Sequence, residues 1–234
     1  KTIWKGYFFI DNLQLTSMVS ILLSFPVLAD GSIRYLSVPL GYRLWDKKQT
    51  KLEIAAGMVR QAMDNIDPDR QVFLLCDSWY PKGCVAGLVD EYNNLDIICN
   101  ARIDTVMYDL PPEHTGKRGR PKKYGGRLSP EDFELESPKT GDWKIGVRPV
   151  PTRLWGERVV YALVTLPKSG NGSRRLFFCT KDPENILLDY SRCEDDAIRG
   201  YGEENKLFLP LACYSPRWNI EISYYESKTF WSLE

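Results

Sequence analysis

The chain has 234 residues, 43% of them apolar, which allows one large or two small domains with a real core. Its 31 basic and 31 acidic side chains cancel, so net charge points to no partner and only local charge informs. One His and six Cys without a CxxC pair argue against a zinc site and a disulfide framework, and no run reaches the ~18 apolar residues of a membrane span.

Lys1 and Lys5 precede an apolar stretch that superficially resembles a secretory signal. Asn12, Gln14, Thr16, Ser17 and Ser20 interrupt it, and a strand over residues 15–28 is the better reading, closed by the Ala-Asp-Gly-Ser turn at 29–32. Leu36, Val38, Leu40, Tyr42 and Leu44 alternate at period two and predict its antiparallel partner. Leu52, Ala55, Ala56, Val59, Ala62, Met63 and Ile66 fall at helical spacing, which predicts a helix over 51–66 ended by Asp67-Pro68. VFLLC at 72–76 reads as a buried parallel strand running into Asp77-Ser78-Trp79-Tyr80. A short helix over 82–92 leads to another apolar strand at 95–99, so the first part of the chain predicts a mixed sheet flanked by helices.

After Arg102 the composition shifts to Pro, Gly and charge, followed by β-like runs at 143–150, 158–166 and 174–180. An acidic, weakly patterned stretch (181–205) precedes a final helix at about 207–234. The chain starts at Lys and stops inside that helix, so both ends read as cut. Cys76 and Cys99 lie in apolar runs as small hydrophobes, which fits a reducing, intracellular setting.

Two features carry chemistry. Tyr214, Arg217, Glu221 and Lys228, spaced Tyr-x2-Arg-x3-Glu-x6-Lys, fall at about 0°, 300°, 340° and 320° on one continuous helix. Such a stripe suits a phosphodiester beside a hard divalent ion: Glu221 supplies oxygen, and Arg217 and Lys228 neutralise phosphate. It is equally the pattern of a solvated helix face, with Arg217–Glu221 as an i,i+4 pair. Asp77 ends a buried strand, where open α/β sheets bind ligands, and also where an Asp simply turns the chain. The second feature is GKRGRPKKYGGR, with Lys117, Arg118, Arg120, Lys122, Lys123 and Arg127 and no acid. An extended Gly-Arg-Pro suits the DNA minor groove, and a solvated linker is its plain alternative. Tyr214 and Trp218 could fill core or stack on a base.

Together these motifs resemble the DDE transposases, in the insertion-sequence-four-type branch marked by Tyr-x2-Arg-x3-Glu-x6-Lys, which this chain matches at every spacing. LLCDSWY around Asp77, residues 101–125 and residues 217–231 are similar to blocks of that family. The resemblance implies a ribonuclease-H-like α/β core from 1–102 and 206–234, interrupted by a β-rich insertion at 103–205 with the basic DNA-contacting loop. It implies Mg2+-dependent cleavage at transposon ends and strand transfer into target DNA, with two Mg2+ ions (Mn2+ as substitute) and a homodimer on double-stranded DNA. Asp77 and Glu221 become catalytic metal ligands. Tyr214, Arg217, Lys228, Arg118, Arg120, Lys122 and Lys123 become DNA contacts. The setting implied is bacterial cytoplasm, on the nucleoid when DNA-bound.

One departure stands. The family's first acid lies on a first strand in an Asp-Asp-Thr-like context before the hairpin. Asp11 in FFIDNLQL is the only substitute, and it sits too close to a strand starting near Leu15. The expectation is therefore a truncated transposase lacking that acid, an N-terminal DNA-binding region and the end of the last helix, with an incomplete two-metal clamp. A ribonuclease-H-like nuclease without strand transfer and an inactive DNA-binding remnant are the rival readings.

Overall fold

A computed structural model describes residues 6–13, 18–29, 32–113, 122–138, 141–191 and 196–231. Three strands open it: β1 (Gly6–Leu13), β2 (Met18–Ala29) and β3 (Ser32–Leu44), each antiparallel to the next. The β2–β3 hairpin is the predicted one. β1 was not predicted. The strand read over 15–28 is described as β2 from Met18, and Gly6–Leu13 forms a separate strand before it.

Helix α1 (Lys51–Met63) starts at Thr50, whose side chain accepts from the Glu53 N–H while the Glu53 carboxylate accepts from the Thr50 N–H. This reciprocal box satisfies two donors that a helix start otherwise leaves unpaired. Strand β4 (Val72–Cys76) is buried at all five positions, as an apolar run on a two-sided strand requires. The predicted helix over 82–92 is two single turns, α2 (Gly83–Ala86) and α3 (Leu88–Glu91), before β5 (Leu95–Ala101). β6 (Met107–Tyr108) and β7 (Arg127–Leu128) form a two-stranded ribbon. β8 (Trp143–Pro151), β9 (Val159–Pro167) and β10 (Arg175–Cys179) are the three later strands.

The main sheet has eight strands in the order β3-β2-β1-β4-β5-β10-β9-β8. β1, β4 and β5 are mutually parallel and the other pairings antiparallel, so the sheet is mixed. Residues 103–205 therefore do not stand apart from the core. Their strands extend its sheet, because β10 pairs along β5 through Leu176–Ala101 and Cys179–Ile98. Gly146 on β8 lets the segment at Glu134 and Leu135 lie close against that strand: a Cβ there would lie 2.4 Å from the Glu134 carbonyl oxygen.

The stretch 181–205, weakly patterned in sequence, forms α4 (Pro183–Ser191) and α5 (Asp196–Glu204). The predicted final helix is broken. A 3-10 turn (Lys206–Phe208) leads to α6 (Leu209–Tyr214), a second 3-10 turn (Ser215–Trp218) and α7 (Asn219–Trp231). Pro216 lies at the start of the second turn, and its missing N–H cannot continue the i→i−4 ladder.

Alternation sorts the core into two faces. Val72, Leu74 and Cys76 face α1, α2 and α3, while Phe73 and Leu75 join Ile98, Cys179, Leu209, Cys213 and Ile220 beneath α6 and α7. A hollow of about 320 Å³ opens on the first face, between α1 and the β2–β3 hairpin; its lining includes Ile21, Leu23, Met58 and Ile66 and no acidic residue. No helix among the described residues is long and apolar enough to cross a membrane.

Candidate active site

Asp77 follows the last residue of β4, and its Oδ1 accepts the Trp79 backbone N–H at 2.8 Å. That is the turn-forming role expected of an Asp after a strand, and it engages one carboxylate oxygen. Tyr214 reaches the same strand end, donating its hydroxyl to the Cys76 carbonyl at 3.3 Å while its ring packs edge-on against Phe177 at 5.4 Å. Burial drives the Tyr214 phenol upward from its ordinary range, more than the Arg217 charge lowers it. Tyr214 is thus a neutral brace between α6 and the sheet.

Past the Pro216 break, α7 is tied to the outer strands by a polar seam. Asn219 Nδ2 donates to Ser37 Oγ at 2.7 Å, Ser37 Oγ is bonded to Ser24 Oγ, and Tyr224 Oη is bonded to Ser20 Oγ. Ser20 and Ser24 are buried, so these serines hold the helix in place. Glu221 lies in the first turn of α7, one turn before Tyr224. Arg217 Nη2 donates to Glu221 Oε1 at 2.9 Å, and the guanidinium lies 5.9 Å and 5.3 Å from the Tyr214 and Trp218 ring centroids. The charges of both Asp77 and Arg217 act on the Cys76 thiol, so the Arg217–Glu221 pair stands within Coulomb reach of the end of β4.

The break interrupts the hydrogen-bond ladder but keeps the predicted side. A 3-10 turn advances ~120° per residue, so Arg217, three residues on, stands over Tyr214. The ion pair holds Glu221 on the same side as Arg217. Lys228 lies on α7.

Asp11 enters by register. On β1, Ile10 pairs with Cys76 of β4, so Asp11 and Asp77 each stand one step beyond that pair. On its other side Asp11 pairs with Ser20, the residue bonded to Tyr224 of α7. The backbone thus brings Asp11 and Asp77 to adjacent strand positions at the sheet end to which α7 is tied, although the Asp11 side chain lies outside the described part. The sequence signal was Asp11 itself, within an apolar FFI run; the misplaced start of β2 obscured it.

Asn100 is a further residue that sequence reasoning passed over. It follows Cys99, the β5 partner of Cys76, and so continues the row of Asp11 and Asp77. Its Oδ1 is buried without a hydrogen-bond partner among the described residues. Among the described residues no three His, Cys, Asp or Glu side chains form a metal cluster. The candidate donors, the Asp77 and Glu221 carboxylates and the buried Asn100 amide oxygen, are hard oxygens of the kind Mg2+ takes. Burial, then a hydrogen bond with Cys99, pushes the Cys76 thiol well above its usual range.

The basic segment is described only from residue 122 onward. Arg118 and Arg120 lie outside the described residues. Its base is closed by Asp109 N–H to the Gly126 carbonyl (2.8 Å) and Gly125 N–H to the Asp109 carbonyl (2.9 Å). Tyr108 and Tyr124 stack there at 4.7 Å, and Arg148 of β8 pairs with Asp109 at 2.6 Å. β8 is four strands from β4, roughly 19 Å at about 4.8 Å per strand. Lys122 and Lys123 are exposed, and Lys123 pairs with Glu157 at 2.9 Å.

A scan against protein-family models returns no match for this chain, and a search of curated proteins returns none.

Proposed function

We propose that this chain is the catalytic domain of a DDE-type DNA transposase with a ribonuclease-H-like core, in which Asp11, Asp77 and Glu221 are the three acids. The observation that carries the reading is the double tethering of the Glu221 helix. Tyr214 ties its approach to the end of β4, Tyr224 ties its second turn to Ser20, and Asp11 lies between those strands. Three antiparallel strands, then two parallel to the first, in the order β3-β2-β1-β4-β5, support the fold assignment. In this reading Asp11 takes the place of the first acid.

In this reading the three carboxylates hold divalent metal, which supplies activation of water or a 3′-hydroxyl and stabilises the leaving oxygen. The chain's own groups do the rest. Arg217 sets the orientation of the Glu221 carboxylate and, with Lys228, offsets phosphate charge. Tyr214 fixes the approach of α6 to β4. The loop of Arg118, Arg120, Lys122 and Lys123 grips DNA flanking the acids. Two DNA ends call for two copies of the chain.

The test uses labelled DNA with Mg2+. Asp11→Asn, Asp77→Asn and Glu221→Gln each abolish cleavage while DNA binding persists. Cleavage at the wild-type rate in Asp77→Asn removes the assignment. A joined product from labelled transposon ends separates a transposase from a nuclease that only cuts.

A further inference from the structure

We propose that Trp79 and Lys82 form a subsite for one nucleotide of the DNA strand at the acids, its base stacking on the indole and its phosphate meeting the ammonium. The proposal rests on the reading of Asp77 and Glu221 given above. Trp79 sits two residues past Asp77 in a turn that is firmly held. Its N–H is bonded to Asp77 Oδ1, and the Tyr80 N–H is bonded to the Asp77 carbonyl at 3.3 Å. Tyr80 is buried and packs edge-on beneath the indole, with ring centroids 5.1 Å apart.

On that rigid base the indole is left 43% exposed. Lys82 Nζ lies 4.7 Å from its ring centroid, and no carboxylate pairs with Lys82 among the described residues. A flat apolar ring with a cation at one side matches the two halves of a nucleotide, a π face and a phosphate. A protein partner fits less well. Ser78 and Gly83, both exposed, carry no apolar side chain, and among the described residues Trp79 is the one exposed large apolar side chain between Leu44 and Ile103. The pattern recurs beside Glu221: Trp218 is 62% exposed, carries Arg217 at 5.3 Å, and precedes Glu221 by one turn.

The test is binding of a short dye-labelled oligodeoxythymidylate, read by fluorescence anisotropy across a salt series without divalent metal. Trp79→Ala weakens binding about tenfold, as loss of one stacked base does, and Trp79→Phe retains most of it. Trp79→Gln is a second variant that keeps bulk without a π face, and it behaves as Trp79→Ala. Lys82→Ala lowers the salt slope by about 0.7, one phosphate on a single strand. Wild-type affinity in both Trp79→Ala and Trp79→Gln, with an unchanged slope in Lys82→Ala, overturns the subsite and leaves the DNA reading standing. A wild-type chain that binds neither this probe nor duplex DNA overturns both.

Discussion

The two ends of the β4–β5 pair treat their polar groups in opposite ways. At the start of these strands, Gln71 Nε2 donates to Asp96 Oδ2 at 3.1 Å and Thr180 Oγ1 to Asp96 Oδ1 at 2.7 Å. Lys181 Nζ donates to Gln71 Oε1 at 2.8 Å, and the Ile97 N–H is bonded to Thr180 Oγ1 at 2.9 Å. Both Asp96 oxygens are occupied, and the network closes on itself. At the other end, among the described residues, a single N–H engages Asp77, Asn100 Oδ1 has no partner, and Trp79 is 43% exposed. A satisfied network locks β10 to β5, whereas groups left wanting partners lie at the end where the acids are proposed to act.

Substitutions at the two ends should therefore separate activity from stability. The largest effect is expected for Asp11→Asn, Asp77→Asn and Glu221→Gln. Each lowers Mg2+-dependent cleavage on the order of 10³-fold or more, several kcal/mol of transition-state stabilisation, with unfolding midpoints little changed. Next comes Tyr214→Ala, which costs about 3–5 kcal/mol of stability in urea unfolding for a large partly buried ring. Tyr214→Phe costs only about 1 kcal/mol, the hydrogen bond to Cys76.

At the closed end, Thr180→Val leaves Asp96 short of a donor and costs about 1–3 kcal/mol, while the cleavage rate per folded molecule stays at wild type. A rate that fell with stability there would erase the distinction between the ends.

A smaller effect concerns alkaline pH. Burial, then the hydrogen bond to Asp182, pushes the Tyr161 phenol up to about 12 from 10.0. The folded state therefore holds its proton to higher pH than the unfolded state. The associated stability is complete below about pH 10 and lost as pH rises toward 12. Tyr161→Phe should flatten stability over that window; an unchanged slope would show that Tyr161 contributes nothing to it. Smallest of all, Lys122→Ala with Arg127→Ala leaves unfolding unchanged and lowers the duplex-DNA salt slope by about 1.8, two phosphates' worth.

Much of this was legible in sequence where local pattern decides structure. VFLLC gave β4 at its observed ends, and the period-two run of Leu36 to Leu44 gave most of β3. The three later strands were likewise legible, but not that β10 would join β5, since pairing between strands far apart in sequence leaves no local mark. The break at Pro216 was readable from the proline itself, but the regular spacing of Tyr214, Arg217 and Glu221 masked it. β1 failed for a different reason. Its neighbour on one side is close in sequence and on the other is Val72–Cys76, and only that parallel partner makes Gly6–Leu13 a central strand. Asp11 gains its meaning from this pairing alone.

The most direct measurement is Mn2+ binding to the intact chain, followed by electron paramagnetic resonance in wild type, Asp11→Asn, Asp77→Asn and Glu221→Gln. A shared cation site predicts saturable binding in wild type that weakens at least tenfold in every variant. Binding that survives all three substitutions undiminished would contradict the claim that β1, β4 and α7 bring their acids to one ion.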